Sequence, residues 1–213
     1  ALLVVDKPSG LAVHGGSGLS LGLIEALRAM RPDCRSLELV HRLDRDTSGC
    51  VMIAKKRSML RHLHEALREG TITKTYTTLV AGRWPKRLTR VAAALEKNTV
   101  RSGERVVRAN GDGKASETLF RVLEHYRDAT LLEARPLTGR THQIRVHLAH
   151  IHHPIVGDAL YGGGRRASLA CPRQFLHAER IRFILPATGQ EVEFAAPLPA
   201  DLEVVLDGLQ DSG

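Results

Sequence analysis

Short runs rich in β-branched residues, separated by Gly, Pro and Asp turn signals, constrain what this chain can fold into more than any other feature. Leu2 to Val5, Leu37 to Val40, Cys50 to Ala54, Thr75 to Val80, Thr118 to Leu123 and Thr130 to Ala134 read as strands, because branched side chains fit a pleated, half-buried surface. Leu176 to Leu185 and Val192 to Phe194 add a closing hairpin, with Pro186-Ala187-Thr188-Gly189 as its turn. Three helices are predicted, at about Ser20 to Met30, Ser58 to Glu69 and Thr141 to Ala149. In the first, Leu21, Ile24 and Leu27 recur at helical spacing behind Ser20, the expected N-cap. These helices interrupt the strands instead of alternating with them. The expected class is therefore α+β, a mixed, largely antiparallel sheet with flanking helices and loops, and not a doubly wound fold.

At 213 residues and 43% hydrophobic content the chain can bury a real core, as one domain or one with a subdomain. Its longest apolar runs, such as Leu2 to Val5 and Val91 to Ala94, fall far short of the roughly 20 residues that span a bilayer. It opens on Ala1 within a strand-like run, with neither an initiator Met nor a secretory signal. A longer protein trimmed at its N-terminus is the expectation. Cys34, Cys50 and Cys171 lie far apart with no Cys-x-x-Cys spacing, which argues against a disulfide framework or a structural zinc site and fits a reducing cytoplasm.

The formal net charge of +8 and a sequence pI near 9.9 favour a polyanionic partner through counterion release from phosphates. Between Arg83 and Lys114 nine basic residues face three acidic ones, so most of the excess charge sits in one stretch that includes Arg101 and Arg105. Aromatic residues make up only 4% of the chain, too few for a base-stacking platform. RNA or DNA gripped by phosphate contacts and a small pocket is the expected partner.

Chemistry concentrates in Leu39-Val40-His41-Arg42-Leu43-Asp44-Arg45-Asp46-Thr47-Ser48-Gly49. A carboxylate flanked by arginines behind a strand is what a catalytic acid or base needs: partial desolvation and a nearby cation to keep it ionised. Asp44 is the leading candidate, whereas Asp46 to Gly49 read as turn chemistry. A second cluster, Pro136 to His147, contains a Thr138-Gly139 turn, Thr141 as a helix N-cap, and Arg145 projecting one turn later. In Lys74-Thr75-Tyr76 the tyrosine reads by pattern alone as core, and Arg145 by itself reads as a surface arginine. The Lys7-Pro8-Ser9-Gly10 segment and the glycine-rich loop at Gly15, Gly16 and Gly18 match neither phosphate-loop nor dinucleotide signatures, so no nucleotide cofactor is expected. His147, His150, His152 and His153 lack metal-ligand spacing, so no metal is expected either.

Taken in order, Asp6-Lys7-Pro8-Ser9-Gly10, His41-Arg42-Leu43-Asp44-Arg45-Asp46-Thr47-Ser48-Gly49, Lys74-Thr75-Tyr76 and Thr138-Gly139-Arg140-Thr141-His142-Gln143-Ile144-Arg145-Val146-His147 resemble the RluA family of pseudouridine synthases over nearly the whole chain. The resemblance implies the pseudouridine synthase fold over residues 1–213 and a cofactor-free isomerisation of specific uridines in RNA. It assigns Asp44 as the catalytic aspartate, Tyr76 as the tyrosine against the target base, and Arg145 as the arginine that pairs with the aspartate. Arg42 matches the arginine that takes the space of the flipped uridine. His41, Arg45, Arg140, His142, Arg101 and Arg105 are the further expected RNA contacts. The runs Ala12 to Leu19 and Ser102 to Arg105 look most like members that act on large-subunit ribosomal RNA, whose full chains carry an N-terminal S4-type RNA-binding domain; residues 1–213 are expected to be the catalytic domain alone. The implied setting is a bacterial cytoplasm, without membrane association, and a monomer is expected. Cys50 departs from the aliphatic residue usual after Ser-Gly, a change of similar buried character.

Two other readings share these residues. A base glycosylase could use Asp44 and Asp46 as a carboxylate pair, and an RNA-binding module without catalysis would need only the positive charge.

Overall fold

A computed structural model describes residues 1–16, 21–101, 104–163 and 169–210, with the side chains of 98–105 outside the description. In chain order its elements are β1 (Leu2–Lys7), α1 (Leu23–Met30), β2 (Glu38–Leu39), β3 (Ser48–Ala54), α2 (Arg57–Glu69), β4 (Thr73–Ala81), β5 (Arg90–Arg101), β6 (Glu104–Ala109), β7 (Lys114–His125), β8 (Ala129–Pro136), α3 (Gln143–His150), β9 (Leu176–Ile184), β10 (Glu191–Ala195) and α4 (Ala200–Gln210). The chain divides into two compact units, Ala1–Lys74 with Ala178–Pro197, and Thr75–His177 with Leu198–Gly213. The class is α+β, as expected.

In the first unit β3 is buried along its whole length and pairs antiparallel with β1, Leu2 opposite Ala54 through Lys7 opposite Gly49. Strand β9 flanks β3 on the other side and pairs antiparallel with β10. Helix α2 presents Met59, Leu63 and Ala66 to a core built from Val40, Met52, Ile72, Ile181 and Phe183. It stops at Gly70, whose left-handed φ of 74° lets the chain reverse. Gly189, at φ 68°, closes the β9 to β10 hairpin where the turn was expected, its N–H donating to Leu185 O at 2.8 Å. The start of α1 differs from expectation. Gly22 holds the N-cap position, and the Glu25 carboxylate accepts both the Gly22 N–H and the Gly15 N–H. Ser20 lies outside the described residues. The Gly15 amide thus has an internal anion.

In the second unit the strand order is β4-β8-β7-β5-β6, with the described pairs antiparallel. Tyr76 on β4 sits opposite Ala134 on β8, itself opposite Phe120 on β7. Helix α3 lies against β5, β6, β7 and β8. Six consecutive residues, Gln143 to Leu148, are buried, so α3 is enclosed on all sides instead of carrying one apolar stripe. No helix of the described residues is long and apolar enough to cross a membrane.

Candidate active site

The loop carrying Asp44 grows out of the end of β2. Val40 continues that ladder by donating its N–H to Met52 O at 3.0 Å. At the next residue the chain peels away, and the imidazole of His41 takes over: its Nε2 accepts the Met52 N–H at 3.0 Å. An accepting Nε2 places the ring proton on Nδ1. Burial, and then the Lys74 ammonium, push His41 down to about 3, so the ring stays neutral in this role. His64 Nε2, from α2, donates to Val40 O at 3.1 Å and fixes the same corner.

Beyond His41 the side chains alternate. Leu43 and Thr47 are buried, Arg42 and Arg45 are exposed, and Asp44 is partly buried between them. The Thr47 N–H donates to Asp44 O at 3.1 Å, so Asp44 opens the turn through which the chain enters β3. Asp46 lies 3.3 Å from the Arg45 Nε at the surface. Gly49 ends the turn at φ 111°, and a Cβ there would stand 2.2 Å from Ala178 O; only glycine fits.

This turn is clamped from the other side by Lys7, which is 0% exposed. Its ammonium donates to Pro8 O at 2.9 Å, Leu11 O at 2.7 Å and Arg45 O at 2.9 Å. Gly10 N–H also reaches Arg45 O, and Ser9 Oγ donates to Asp46 O, both at 2.9 Å. Lys7 to Gly10, a weak motif in the sequence, is thus the brace of the Asp44 loop.

The second cluster is organised by two buried polar side chains of α3. Gln143 Oε1 accepts from Thr138 Oγ1 and the Arg140 N–H, while its Nε2 donates to Glu117 O and Thr118 Oγ1. All four of its hydrogen-bonding positions are used. His147, 0% exposed, joins Ser116 Oγ at 2.7 Å through Nε2 and Thr118 Oγ1 at 2.9 Å through Nδ1. Ser116 spends its own proton on Ala93 O and Thr118 already accepts from Gln143. His147 Nε2 therefore donates, and Nδ1 accepts the Thr118 proton, which specifies the neutral ring. Burial, and then the neighbouring His150, push His147 down to about 4. The helix begins one residue later than the expected Thr141 cap, with His142 at the N-cap in the left-handed region, φ 53°.

Arg145 is 7% exposed, and Asp158 grips its guanidinium, at 2.7 Å from Nε and 2.9 Å from Nη2. Asp158 is itself fully buried, and its Oδ1 also accepts the Leu160 and Tyr161 N–H groups. Burial alone would push the Asp158 carboxyl up; the hydrogen bonds and charge of Arg145, with those two amides, outweigh it and hold it below the usual range. The Tyr161 ring lies under the guanidinium, 5.0 Å from its carbon, a cation–π arrangement. Val107 N–H donates to the Tyr161 hydroxyl at 3.0 Å, leaving the phenolic proton for His142 Nδ1 at 2.7 Å.

Of the residues expected from sequence, His41, Arg42, Asp44 and Arg45 share one loop of the first unit. Tyr76, Arg140, His142 and Arg145 belong to the second. Tyr76 is 9% exposed on β4; Arg140 is exposed, its Nε donating to Ala115 O at 3.2 Å. The side chains of Arg101 and Arg105 lie outside the described residues. Asp158 and Tyr161 were missed. The sequence signal for them is Gly157-Asp158-Ala159-Leu160-Tyr161-Gly162, in which Gly157 (φ 80°) and Gly162 meet backbone oxygens so closely that a Cβ would stand 2.0 and 2.3 Å away.

Residues 1–150 match the RNA pseudouridylate synthase family. "Ribosomal large subunit pseudouridine synthase C" of Pasteurella multocida is 54% identical over 99% of this chain and 66% of its own length. The proteins of the same name from Vibrio cholerae and Escherichia coli K12 are 53% and 51% identical, again over 99% of this chain, and it covers 67% and 68% of them. The chain thus spans about two thirds of the length of these curated relatives. Among solved structures, Human RNA Pseudouridylate Synthase Domain Containing 1 superposes with a TM-score of 0.74 at 28% identity, covering 98% of this chain and 91% of that one. Human RNA Pseudouridylate Synthase Domain Containing 4 shares the fold, at a TM-score of 0.79 and 24% identity over 98% and 90%. By family match and by identity over its length, the chain belongs to the RNA pseudouridylate synthases.

Proposed function

We propose that this chain isomerises specific uridines of large-subunit ribosomal RNA to pseudouridine, with Asp44 as the essential aspartate. The observation that carries the reading is the Asp44 loop, a partly buried carboxylate between exposed arginines, braced by a buried lysine. In the reaction the N1 to C1′ bond breaks, the uracil rotates, C5 bonds to C1′, the C5 proton leaves and N1 regains a proton. Atoms and charge balance without an oxidant, a metal or a nucleotide.

The target cannot react within a base stack, so it is extruded into a pocket at a cost of about a few kcal/mol. The basic stretch from Arg83 to Lys114, with Arg101 and Arg105, offsets that cost through phosphate contacts. Arg45, Arg140 and His142 extend the RNA-binding surface. His41 has one ring nitrogen engaged by Met52 and contributes through Nδ1. Arg42, exposed two residues before Asp44, occupies the gap left by the flipped uridine. Asp44 acts on the sugar as nucleophile or base. Tyr76 packs on the uracil and assists removal of the C5 proton, and Arg145 keeps the carboxylate of Asp44 ionised. The setting is a bacterial cytoplasm.

Tritium release from 5-labelled uridine in unmodified large-subunit ribosomal RNA tests the assignment. Asp44→Asn should abolish release while retaining RNA binding; substantial turnover by that variant sinks it. Free uracil among the products would identify a glycosylase, and binding without release would identify a non-catalytic module.

A further inference from the structure

We propose that Asp158 and Tyr161 are positioning residues that set the aim of the Arg145 guanidinium. The inference rests on the role proposed above for Arg145, and its own basis is geometric. Asp158 bonds Nε and Nη2 at 2.7 and 2.9 Å, the side edge of the planar fork. A guanidinium held on that edge cannot rotate about its stem, so its remaining donors, on Nη1 and the end of the fork, point in one direction. Tyr161 closes the lower face from 5.0 Å.

Asp158 in turn has no freedom of its own. It is fully buried, and its Oδ1 is fixed by the Leu160 and Tyr161 amides at 2.9 and 3.1 Å. The Tyr161 hydroxyl then joins two elements. It accepts from Val107 on β6, in the basic β5 to β6 hairpin, and donates to His142 at the start of the helix that carries Arg145. The packing of Leu95, Val107 and Val146 with Tyr161 gives that junction an apolar floor. A charge partner whose task is to hold a carboxylate ionised must present its donors in one geometry, and this turn supplies the constraint.

The test is a double-variant cycle in the full chain, read by steady-state tritium release and by equilibrium binding of unmodified large-subunit ribosomal RNA. Asp158→Asn keeps the shape of the side chain but turns one acceptor into a donor facing the guanidinium. It should lower kcat about 100-fold, the scale of a misplacement near 1 Å, with RNA affinity within about twofold of the parent. Because it acts through Arg145, it should add little to Arg145→Lys. Tyr161→Leu removes the ring and hydroxyl from a partly exposed position and is the second probe should Asp158→Asn fail to fold; it should lower kcat with RNA affinity likewise maintained. Parental kcat in folded Asp158→Asn, or in Tyr161→Leu, alongside a crippled Arg145→Lys overturns the inference and leaves the role of Arg145 standing. Losses that simply add in the double variant also overturn it. A fully active Arg145→Lys removes the role of Arg145 itself, and the inference with it.

Discussion

Replacing Lys7 by Met keeps the aliphatic stem and deletes the ammonium, and its cost can be worked from the three carbonyls that the ammonium serves. Arg45 O keeps the Gly10 N–H as a partner, so the orphaned acceptors are Pro8 O and Leu11 O. An unsatisfied buried acceptor costs about 1–3 kcal/mol. Both residues are only partly buried or exposed, so water recovers part of the loss, and about 3 kcal/mol is the expected destabilisation. For a chain of this size that corresponds to a fall in Tm of about 9 °C, and to a lower urea midpoint at unchanged slope. Activity should fall beyond the loss of stability, because Arg45 O is the point at which the ammonium reaches the Asp44 turn. Melting followed by circular dichroism, with tritium release measured well below Tm, reads both effects. A shift below about 2 °C, or full turnover in the folded variant, would refute the brace.

Further outcomes follow from the same geometry. Gly49→Ala forces a left-handed residue against Ala178 O and should cost about 3 kcal/mol or more, visible as poor soluble yield and a lowered urea midpoint; a parental midpoint would contradict the close approach. His147 lies below its ordinary 6.5, at about 4, so the native state binds fewer protons than the unfolded chain between those values. Its stabilisation is complete above pH 6.5 and declines as pH falls toward 4, by about 2 kcal/mol at pH 5. Urea midpoints at pH 7 and 5 measure this, and the same pH slope in a His147→Gln variant would exclude His147 as its source. Gln143→Leu takes the Oε1 partner from the Arg140 N–H and one partner each from Thr138 Oγ1, Thr118 Oγ1 and Glu117 O, the last of which keeps the Leu137 N–H, and should destabilise by about 2 kcal/mol; a neutral midpoint would show that the network is dispensable.

The elements legible from sequence were those whose local pattern agrees with their final environment. Most of strand β3 is the continuous apolar run Cys50 to Ala54 and α2 carries helical periodicity between Lys56 and Gly70. Strands β5 and β6 escaped because Arg90–Arg101 is alanine-rich and charged; its extended form comes from pairing with β7 and β6, not from propensity. Helix α4, with Val204, Val205 and Gly208, shows equally weak local preference.

The sequence by itself determined the α+β class and, through its motifs, the family, and it singled out His41 to Gly49 as the leading candidate for chemistry. These rest on residue type and spacing along the chain, which a linear reading preserves. The tertiary structure decided which groups hold those residues. Lys7 braces a loop 38 residues away, His147 ties α3 to β7 across about 30 positions, and Asp158 faces Arg145 through a turn whose glycines meet neighbouring backbone. Partnerships of this kind arise when buried polar groups must be satisfied in the packed state, and no property of either residue alone announces them.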